Sequence, residues 1–188
     1  MDYKHDTMKT VLEKFTRSRA RRRTTATAAR QKRSNASLRP AQILVPVDFS
    51  KCSREALDYA LWFASKFQAS LTLVHVVHAN YGAASSEYST FDYPALIEEM
   101  RRFGERELAA LARRVQRRCP VKTVLKTGHP GDAIVAVARE FGSDLIIIST
   151  HGRTGLKRVL LGSTTEYVVR HASCPVFVVR REERDFVE

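Results

Sequence analysis

The segment Leu145-Ile146-Ile147-Ile148 is followed by Ser149-Thr150-His151-Gly152, nine further residues, and Gly162-Ser163-Thr164. An apolar run, a loop of small residues and a helical pattern in this order predict a strand, a loop and a helix N-terminus. Glycines let backbone N–H groups approach an anion, and a helix start supplies unpaired donors and partial positive charge. The segment therefore predicts a phosphate site, which makes nucleotide binding the leading hypothesis.

Upstream of this segment, apolar runs alternate with amphipathic helical patterns. Strands are predicted at 43–47, 71–77, 121–127, 145–148 and 176–179. This βαβα order predicts a parallel sheet that is covered by helices on both faces. The run at 121–127 is less apolar than the others and is predicted to be an edge strand.

Several polar or glycine-bearing features directly follow these predicted strands. They are Asp48, Val76 at the end of the second strand, Thr127-Gly128, and the segment from Ser149 to Gly152. Ligands of open parallel sheets bind beyond the carboxyl ends of the strands, at the point where the strand order switches. We therefore expect these features to meet at one rim of the sheet.

Residues 1–40 differ from the rest of the chain in composition and charge. They hold twelve Lys/Arg and three Asp/Glu, a net charge of +9, and only +3 remains for residues 41–188. We interpret 1–40 as a mostly disordered tail. It could be a solubilising or artificially added extension, a weak nucleic-acid contact that attracts phosphates without reading bases, or an organelle transit peptide.

Size, hydropathy and cysteines limit the class of protein. The chain has 188 residues and is 44% hydrophobic, which suits one domain with a tail. It has no apolar run long enough to span a membrane and no apolar secretory signal. Cys52, Cys119 and Cys174 are odd in number and far apart, so neither a zinc site nor a disulfide framework is indicated. We expect a reducing, cytoplasmic location.

Four motifs in order and spacing resemble the universal stress protein family. They are Ile43-Leu44-Val45-Pro46-Val47-Asp48-Phe49-Ser50, Leu73-Val74-His75-Val76, the loop from His151 to Leu156 with Gly162-Ser163, and Cys174-Pro175-Val176-Phe177-Val178-Val179. The resemblance covers about 41–181 and implies a Rossmann-like, adenine nucleotide α-hydrolase-like three-layer sandwich over 41–188. It also implies strand order 3-2-1-4-5 and a homodimer that pairs through Val176–Val179.

The ATP-binding branch of that family implies a role for each matching position. Pro46, Val47 and Asp48 would border the adenine and ribose, and Val76 would pack beside the adenine. Ile148 and Ser149 would line the base and ribose. The phosphates would be held by His151, Gly152, Gly162, Ser163 and Thr164, with positive charge nearby from Arg153, Lys157 and Arg158. The implied ligand is ATP, with or without Mg²⁺ held mainly by phosphate oxygens.

One position departs from the motif G-x-x-G-x9-G-[S/T] of that branch. Gly152, nine residues, Gly162 and Ser163 match its last part, but Ser149 stands where the first glycine is expected. A serine still offers its backbone N–H and adds a hydroxyl. Its Cβ would be in conflict only if the backbone had to adopt a positive φ.

Structural roles remain possible for several of these residues. Asp48 could cap the first helix, and His151 could point to solvent. Ser163 and Thr164 could cap the last helix without a ligand. His75, inside a strand, is interpreted as a hydrogen-bonded structural histidine, and Ser50 as the N-cap of the first helix.

The motifs do not predict a dedicated enzyme. The chain has no G-x-x-x-x-G-K-[S/T] and no second acid beside Asp48 in the matched rim. The leading hypothesis is a stress-response module whose interactions depend on a bound adenine nucleotide. The alternatives are a structural or interaction dimer of the same fold that binds no nucleotide, and an ATP-using enzyme, such as a slow hydrolase or one that adenylates a substrate.

Overall fold

A computed structural model describes residues 39–78, 93–150 and 161–180 of the chain. In these ranges, five strands alternate with four α-helices. The strands are β1 (Gln42–Pro46), β2 (Ser70–Val77), β3 (Val121–Thr127), β4 (Leu145–Ser149) and β5 (Val176–Val179). The helices are α1 (Lys51–Phe67), α2 (Tyr93–Val115), α3 (Pro130–Glu140) and α4 (Ser163–His171).

The five strands form one parallel sheet in the order β3-β2-β1-β4-β5. The predicted order is confirmed, and so is the position of β3 at an edge. The central strand β1 pairs with β2 over its whole length and with β4 at Ile43 and Leu44. Because the chain first adds strands on one side of β1 and then on the other, the order switches between β1 and β4.

The two sheet faces are covered by different helices, because side chains alternate along each strand. Ile43, Val45 and Val47 point to the face that is packed by α1 and α2. Leu44, between them, points to the opposite face together with Ile146 of β4, and α3 and α4 cover that side. Strands that are apolar on both faces are expected of a buried parallel sheet, and Leu44 and Val45 are both fully buried.

Element boundaries follow the predictions closely, with one informative difference. Ser50 is the N-cap of α1, and its hydroxyl accepts a hydrogen bond from the Ser53 backbone N–H at 3.2 Å. β4 was predicted to end at Ile148, but it continues through Ser149, which pairs with Val179 of β5. The neighbouring strand therefore holds Ser149 in extended backbone, where the sequence pattern suggested a loop.

Candidate functional site

A cavity of about 340 Å³ opens at the carboxyl ends of the strands, where β1 and β4 lie side by side. Nine of the eleven predicted site residues line it. They are Pro46, Val47, Asp48, Val76, Ile148, Ser149, Gly162, Ser163 and Thr164. The structure thus brings together residues that are up to 118 positions apart in the chain. Pockets for small ligands typically start at about 300 Å³, so the cavity is large enough for a nucleotide-sized molecule.

The wall after β1 is formed by a tight turn, residues 47–50, which we call the Asp48 turn. The Asp48 carboxylate Oδ1 accepts a hydrogen bond from the Ser50 backbone N–H at 3.0 Å. Since Ser50 itself caps α1, Asp48 is not the helix cap, and that structural alternative is wrong. Asp48 is half-buried at the cavity, in a position to accept hydrogen bonds from a ligand hydroxyl.

Two histidines lie on the β2 side of the cavity. His75 is buried, and its Nδ1 lies 2.7 Å from the carbonyl oxygen of Val47. The expectation of a hydrogen-bonded structural histidine agrees with this geometry. His78 is exposed and lines the cavity beside Val76. Among the described lining residues, Asp48 and these two histidines are the ionisable ones, so the cavity wall contains one carboxylate there.

The opposite wall is formed by the end of β4 and the start of α4. Thr165 is buried, and its hydroxyl donates to the Ser149 carbonyl at 2.8 Å, which ties α4 to the end of the strand. The N-cap of α4 is Gly162, which has no side chain to cap the helix. Ser163 and Thr164 come after the cap position, so the alternative that they cap α4 is wrong. The Gly162 N–H donates to the Thr150 carbonyl at 2.8 Å.

The backbone conformation at Ser149 shows whether a serine fits where the motif has a glycine. Among the described non-glycine residues, positive φ angles occur at Phe49 and Gln68, and Ser149 is a strand residue. A side chain is therefore accommodated without strain at this position. Space is tighter at Gly162, where an added Cβ would lie 3.0 Å from the Thr150 carbonyl oxygen.

The remaining predicted phosphate ligands, His151 and Gly152, lie outside the described residues. The same holds for Arg153, Lys157 and Arg158, from which nearby positive charge was expected. Their roles stay predictions.

A polar network lies beside the cavity, between α3 and α4. The Tyr167 hydroxyl donates a short hydrogen bond to the Asp132 carboxylate, and the other oxygen of Asp132 is 3.3 Å from His129 Nδ1. The hydrogen bond to Asp132 raises the pKa of Tyr167 above its usual value of 10.0. Tyr167 also packs closely on Gly131, where a Cβ would lie 2.6 Å from the tyrosine ring. The network fixes the two helices that cover this face.

Sequence reasoning missed part of the cavity lining. Ser53, Met100 and Ile134 reach the cavity from three different helices, α1, α2 and α3. Thr165 was also missed, although it lies next to the predicted Thr164. No sequence pattern showed which turn of each helix faces the rim.

The fold and the cavity define a class of protein: a doubly wound α/β domain with a ligand-sized cavity at the switch point of its parallel sheet. A profile of the universal stress protein family matches residues 41–180. The chain belongs to the universal stress protein family.

Individual relatives agree with this assignment. The universal stress protein MJ0531 of Methanocaldococcus jannaschii is 32% identical over 146 residues, which covers 77% of this chain and 84% of that protein. Among solved structures, MJ0577 of the same organism has 29% identity and a TM-score of 0.67, over 76% of this chain and 97% of the other. UspA of Lactobacillus plantarum has 31% identity and a TM-score of 0.65, over 74% and 97%.

Two more distant structures of the same fold contain nucleotides. One is a universal stress protein in complex with cAMP, at 22% identity and a TM-score of 0.52 over 75% of this chain and 97% of the other. The second is the universal stress protein from Archaeoglobus fulgidus in complex with dAMP, at 20% identity and a TM-score of 0.52 over 73% and 95%. At these identities the likeness to the present chain concerns the fold.

Within the described part of the chain, no helix is long and apolar enough to cross a membrane.

Proposed function

We propose that the chain binds an adenine nucleotide, with ATP as the preferred ligand, and that the bound nucleotide controls its interactions in a stress response. The observation that carries the proposal is the convergence of nine predicted site residues from different parts of the chain on one cavity at the switch point. The cavity joins an apolar section, a carboxylate and a helix start. These are the features that a base, a ribose and a phosphate chain require.

Each part of the cavity suits one part of the ligand. Pro46, Val76 and Ile148 offer apolar surface for the base. The Asp48 carboxylate accepts from ribose hydroxyls. The start of α4 at Gly162, Ser163 and Thr164 supplies backbone donors and the positive end of a helix dipole for phosphates. Val47 and Ser149 complete the walls beside the ribose.

A metal ion in this arrangement would be bound chiefly by the nucleotide. Among the described residues, no cluster of three His, Cys, Asp or Glu could hold one. Mg²⁺ would therefore enter with ATP, coordinated by its phosphate oxygens, with few ligands from the protein.

Thermal unfolding with and without nucleotide tests the proposal. A ligand that binds only the folded state at about one hundred times its Kd adds roughly 2.7 kcal/mol, which for a chain of this size raises Tm by roughly 5–10 °C. ATP, ADP, AMP and GTP should be compared at equal millimolar concentration. No shift with any adenine nucleotide, together with no nucleotide on the purified protein, would contradict the proposal.

Asp48→Asn is the sharpest variant for the site. An asparagine keeps an oxygen for the Ser50 N–H but loses the negative charge toward the ribose. We expect the affinity for ATP to fall about tenfold, the effect of a hydrogen bond to a charged group. Asp58→Asn is the matched control, because Asp58 is exposed on α1 and does not line the cavity. Equal affinities of the two variants would remove Asp48 from the site.

A second candidate is a homodimer that acts without nucleotide. β5 lies at the end of the strand order, and its residues Val176, Phe177 and Val178 are half-buried rather than covered. Pairing of β5 with its copy would cover this edge. Val178→Pro, which removes a backbone N–H from the edge, should yield monomers in sedimentation velocity. Wild-type dimers that form equally with and without ATP would favour the structural function.

An enzymatic function has less support in the described cavity, where Asp48 is the one carboxylate of the lining. Slow hydrolysis of bound ATP stays compatible with the proposal. Pyrophosphate release that depends on a second metabolite would instead indicate adenylation.

A further inference from the structure

The Asp48 turn contains the most strained backbone position at the cavity. Phe49 has a φ of 65°, in the left-handed region that bulky residues rarely adopt. This conformation turns the chain between Asp48, which lines the cavity, and Ser50, which caps α1. Such a conformation persists only when the surrounding structure holds it, so the neighbours of Phe49 decide where Asp48 points.

The main neighbour is His75, a buried residue of β2, which lies between β3 and β1 in the sheet. Its ring lies against the ring of Phe49, with centroids 4.4 Å apart and an angle of 37°. The ring of Phe103, on α2, also contacts the ring of Phe49 in an edge-on arrangement, with centroids 5.8 Å apart. In the observed left-handed conformation, Phe49 is thus packed between the imidazole of His75 and the ring of Phe103.

His75 also holds the start of the turn. Its Nδ1 is 2.7 Å from the Val47 carbonyl oxygen, and because a carbonyl only accepts, Nδ1 carries the proton. The Val47 N–H donates to the Val74 carbonyl at 2.8 Å. Both backbone groups of Val47, the residue before Asp48, are thus fixed by neighbouring residues of β2.

The imidazole itself is held in place by α2. A Cβ on Gly104 would lie 2.8 Å from His75 Cδ2 and 3.0 Å from Leu125 Cδ1. The helix therefore approaches the sheet at a glycine because the histidine ring occupies the space. His75 is in contact with Val47, Phe49 and Gly104 on three sides, a tight arrangement for a histidine with a purely space-filling role.

We propose that His75 is a positioning residue for nucleotide binding: it locks the Asp48 turn, through Val47 and Phe49, so that the Asp48 carboxylate faces the ribose. This inference rests on the proposed function. It assigns His75 an effect on affinity that is separate from its contribution to the core.

Two substitutions at His75 separate these effects in the full-length chain. His75→Phe keeps a ring against Phe49 but loses the donor to Val47. His75→Asn places an amide N–H near the former Nδ1. By isothermal titration with ATP we expect His75→Phe to bind about tenfold more weakly, the effect of one lost buried hydrogen bond, and His75→Asn to recover most of the affinity.

Gly104→Ala tests the same lock from the helix side. The added methyl group pushes on the imidazole but does not enter the cavity, since Gly104 is not among its lining residues. Alanine also favours a helix over glycine, so weaker ATP binding by this variant could not be attributed to a weaker helix.

Val137→Ala is the control for general destabilisation. Val137 is fully buried in the core on the other face of the sheet and does not line the cavity. Its unfolding free energy and that of His75→Phe are measured in urea. We expect Val137→Ala to bind ATP within about twofold of the wild type, because affinity depends on the turn rather than on overall stability.

Amide exchange at Ser50 provides a readout that needs no nucleotide. This N–H donates to Asp48 Oδ1, so its protection reports the closed turn. We expect faster exchange in His75→Phe, with protection restored in His75→Asn. The inference would be overturned if folded His75→Phe kept the ATP affinity and the Ser50 amide exchange of the wild type. It would also be overturned if His75→Phe and Val137→Ala, at matched stability, lost the same amount of ATP affinity. Absence of ATP binding by the wild type would instead overturn the proposed function, and Ser50 exchange would still decide whether His75 locks the turn.

Discussion

The helix starts that follow β1 and β4 lie side by side at the cavity but are held in different ways. After β1, four residues lead into α1, and Ser50 caps the helix with its own hydroxyl. After β4, thirteen residues separate the strand from α4, and the cap is Gly162, which has no side chain. In the first turn, the side chains of Asp48 and Ser50 accept local backbone hydrogen bonds, and His75 of β2 adds contacts to Val47 and Phe49. At the start of α4, by contrast, no side chain of the cap residue accepts a hydrogen bond from the first amide N–H groups.

This difference suggests a division of labour within the proposed site. The Asp48 turn is a prearranged wall that presents one carboxylate in a fixed direction. The start of α4 is anchored by tertiary contacts, from Thr165 to β4 and from Tyr167 to α3. A helix start without a side-chain cap suits phosphate oxygens, which can take the place of the missing cap.

The anchor of α4 should produce the largest change in stability. Thr165→Val removes the hydroxyl that donates to the Ser149 carbonyl at 2.8 Å and keeps the shape of the side chain. We expect the unfolding free energy to fall by about 2 kcal/mol, the cost of a lost buried hydrogen bond. Urea denaturation measures it, with Thr164→Val as a control that should change stability by less than about 0.5 kcal/mol. Equal losses in both variants would mean that Thr165 does not anchor the helix.

Replacing the serine at each helix start should affect a different property: stability for Ser50 and ATP affinity for Ser163. Ser50→Ala removes a side-chain cap and should cost about 1 kcal/mol of stability with little change in ATP affinity. Ser163→Ala removes no N-cap and should leave stability within about 0.5 kcal/mol. It should weaken ATP binding by about fivefold, equivalent to a net hydrogen bond of about 1 kcal/mol. Paired urea and titration measurements check both, and a stability loss in Ser163→Ala would contradict the assigned cap.

Restoring the family glycine at Ser149 should bring no benefit. Ser149 is an extended strand residue, so Ser149→Gly removes no strain and adds flexibility to the unfolded chain. We expect a stability loss of about 0.5–1 kcal/mol and ATP affinity within about threefold of the wild type. A tenfold or greater gain in affinity would show that the serine side chain obstructs the phosphate end of the cavity.

The smallest effect is expected from the pH dependence of the contact between α3 and α4. The hydrogen bond to Asp132 raises the pKa of Tyr167 above 10.0, so folding favours the protonated phenol. The stabilisation is complete below the unfolded pKa of about 10 and is lost as pH rises through the folded pKa. The difference in Tm between the wild type and Tyr167→Phe should therefore stay constant from pH 7 to 9 and shrink above pH 10. A difference that persists unchanged at pH 11 would contradict this.

The sequence predicted the fold because its evidence is local and repeated. Apolar runs such as 145–148 and amphipathic segments recur with the periods of strands and helices, and small errors such as the extra strand residue Ser149 leave the topology intact. The candidate site was predicted in part for the same reason, since strand ends are readable from the pattern. His75 was correctly expected to be hydrogen-bonded, but the sequence could not indicate its acceptor, the Val47 carbonyl 28 residues away.

Residue patterns alone establish the alternation of strands and helices, the basic character of residues 1–40 and the motifs of the universal stress protein family. The folded chain is needed to show that Ser149 is extended, that Gly162 rather than Ser163 caps α4, and that Phe49 stacks on His75 in a left-handed turn. These features depend on contacts between segments that are distant along the chain. Periodicity reports each residue's own element, whereas hydrogen bonds and ring contacts between strands depend on segments that only the folded sheet brings together.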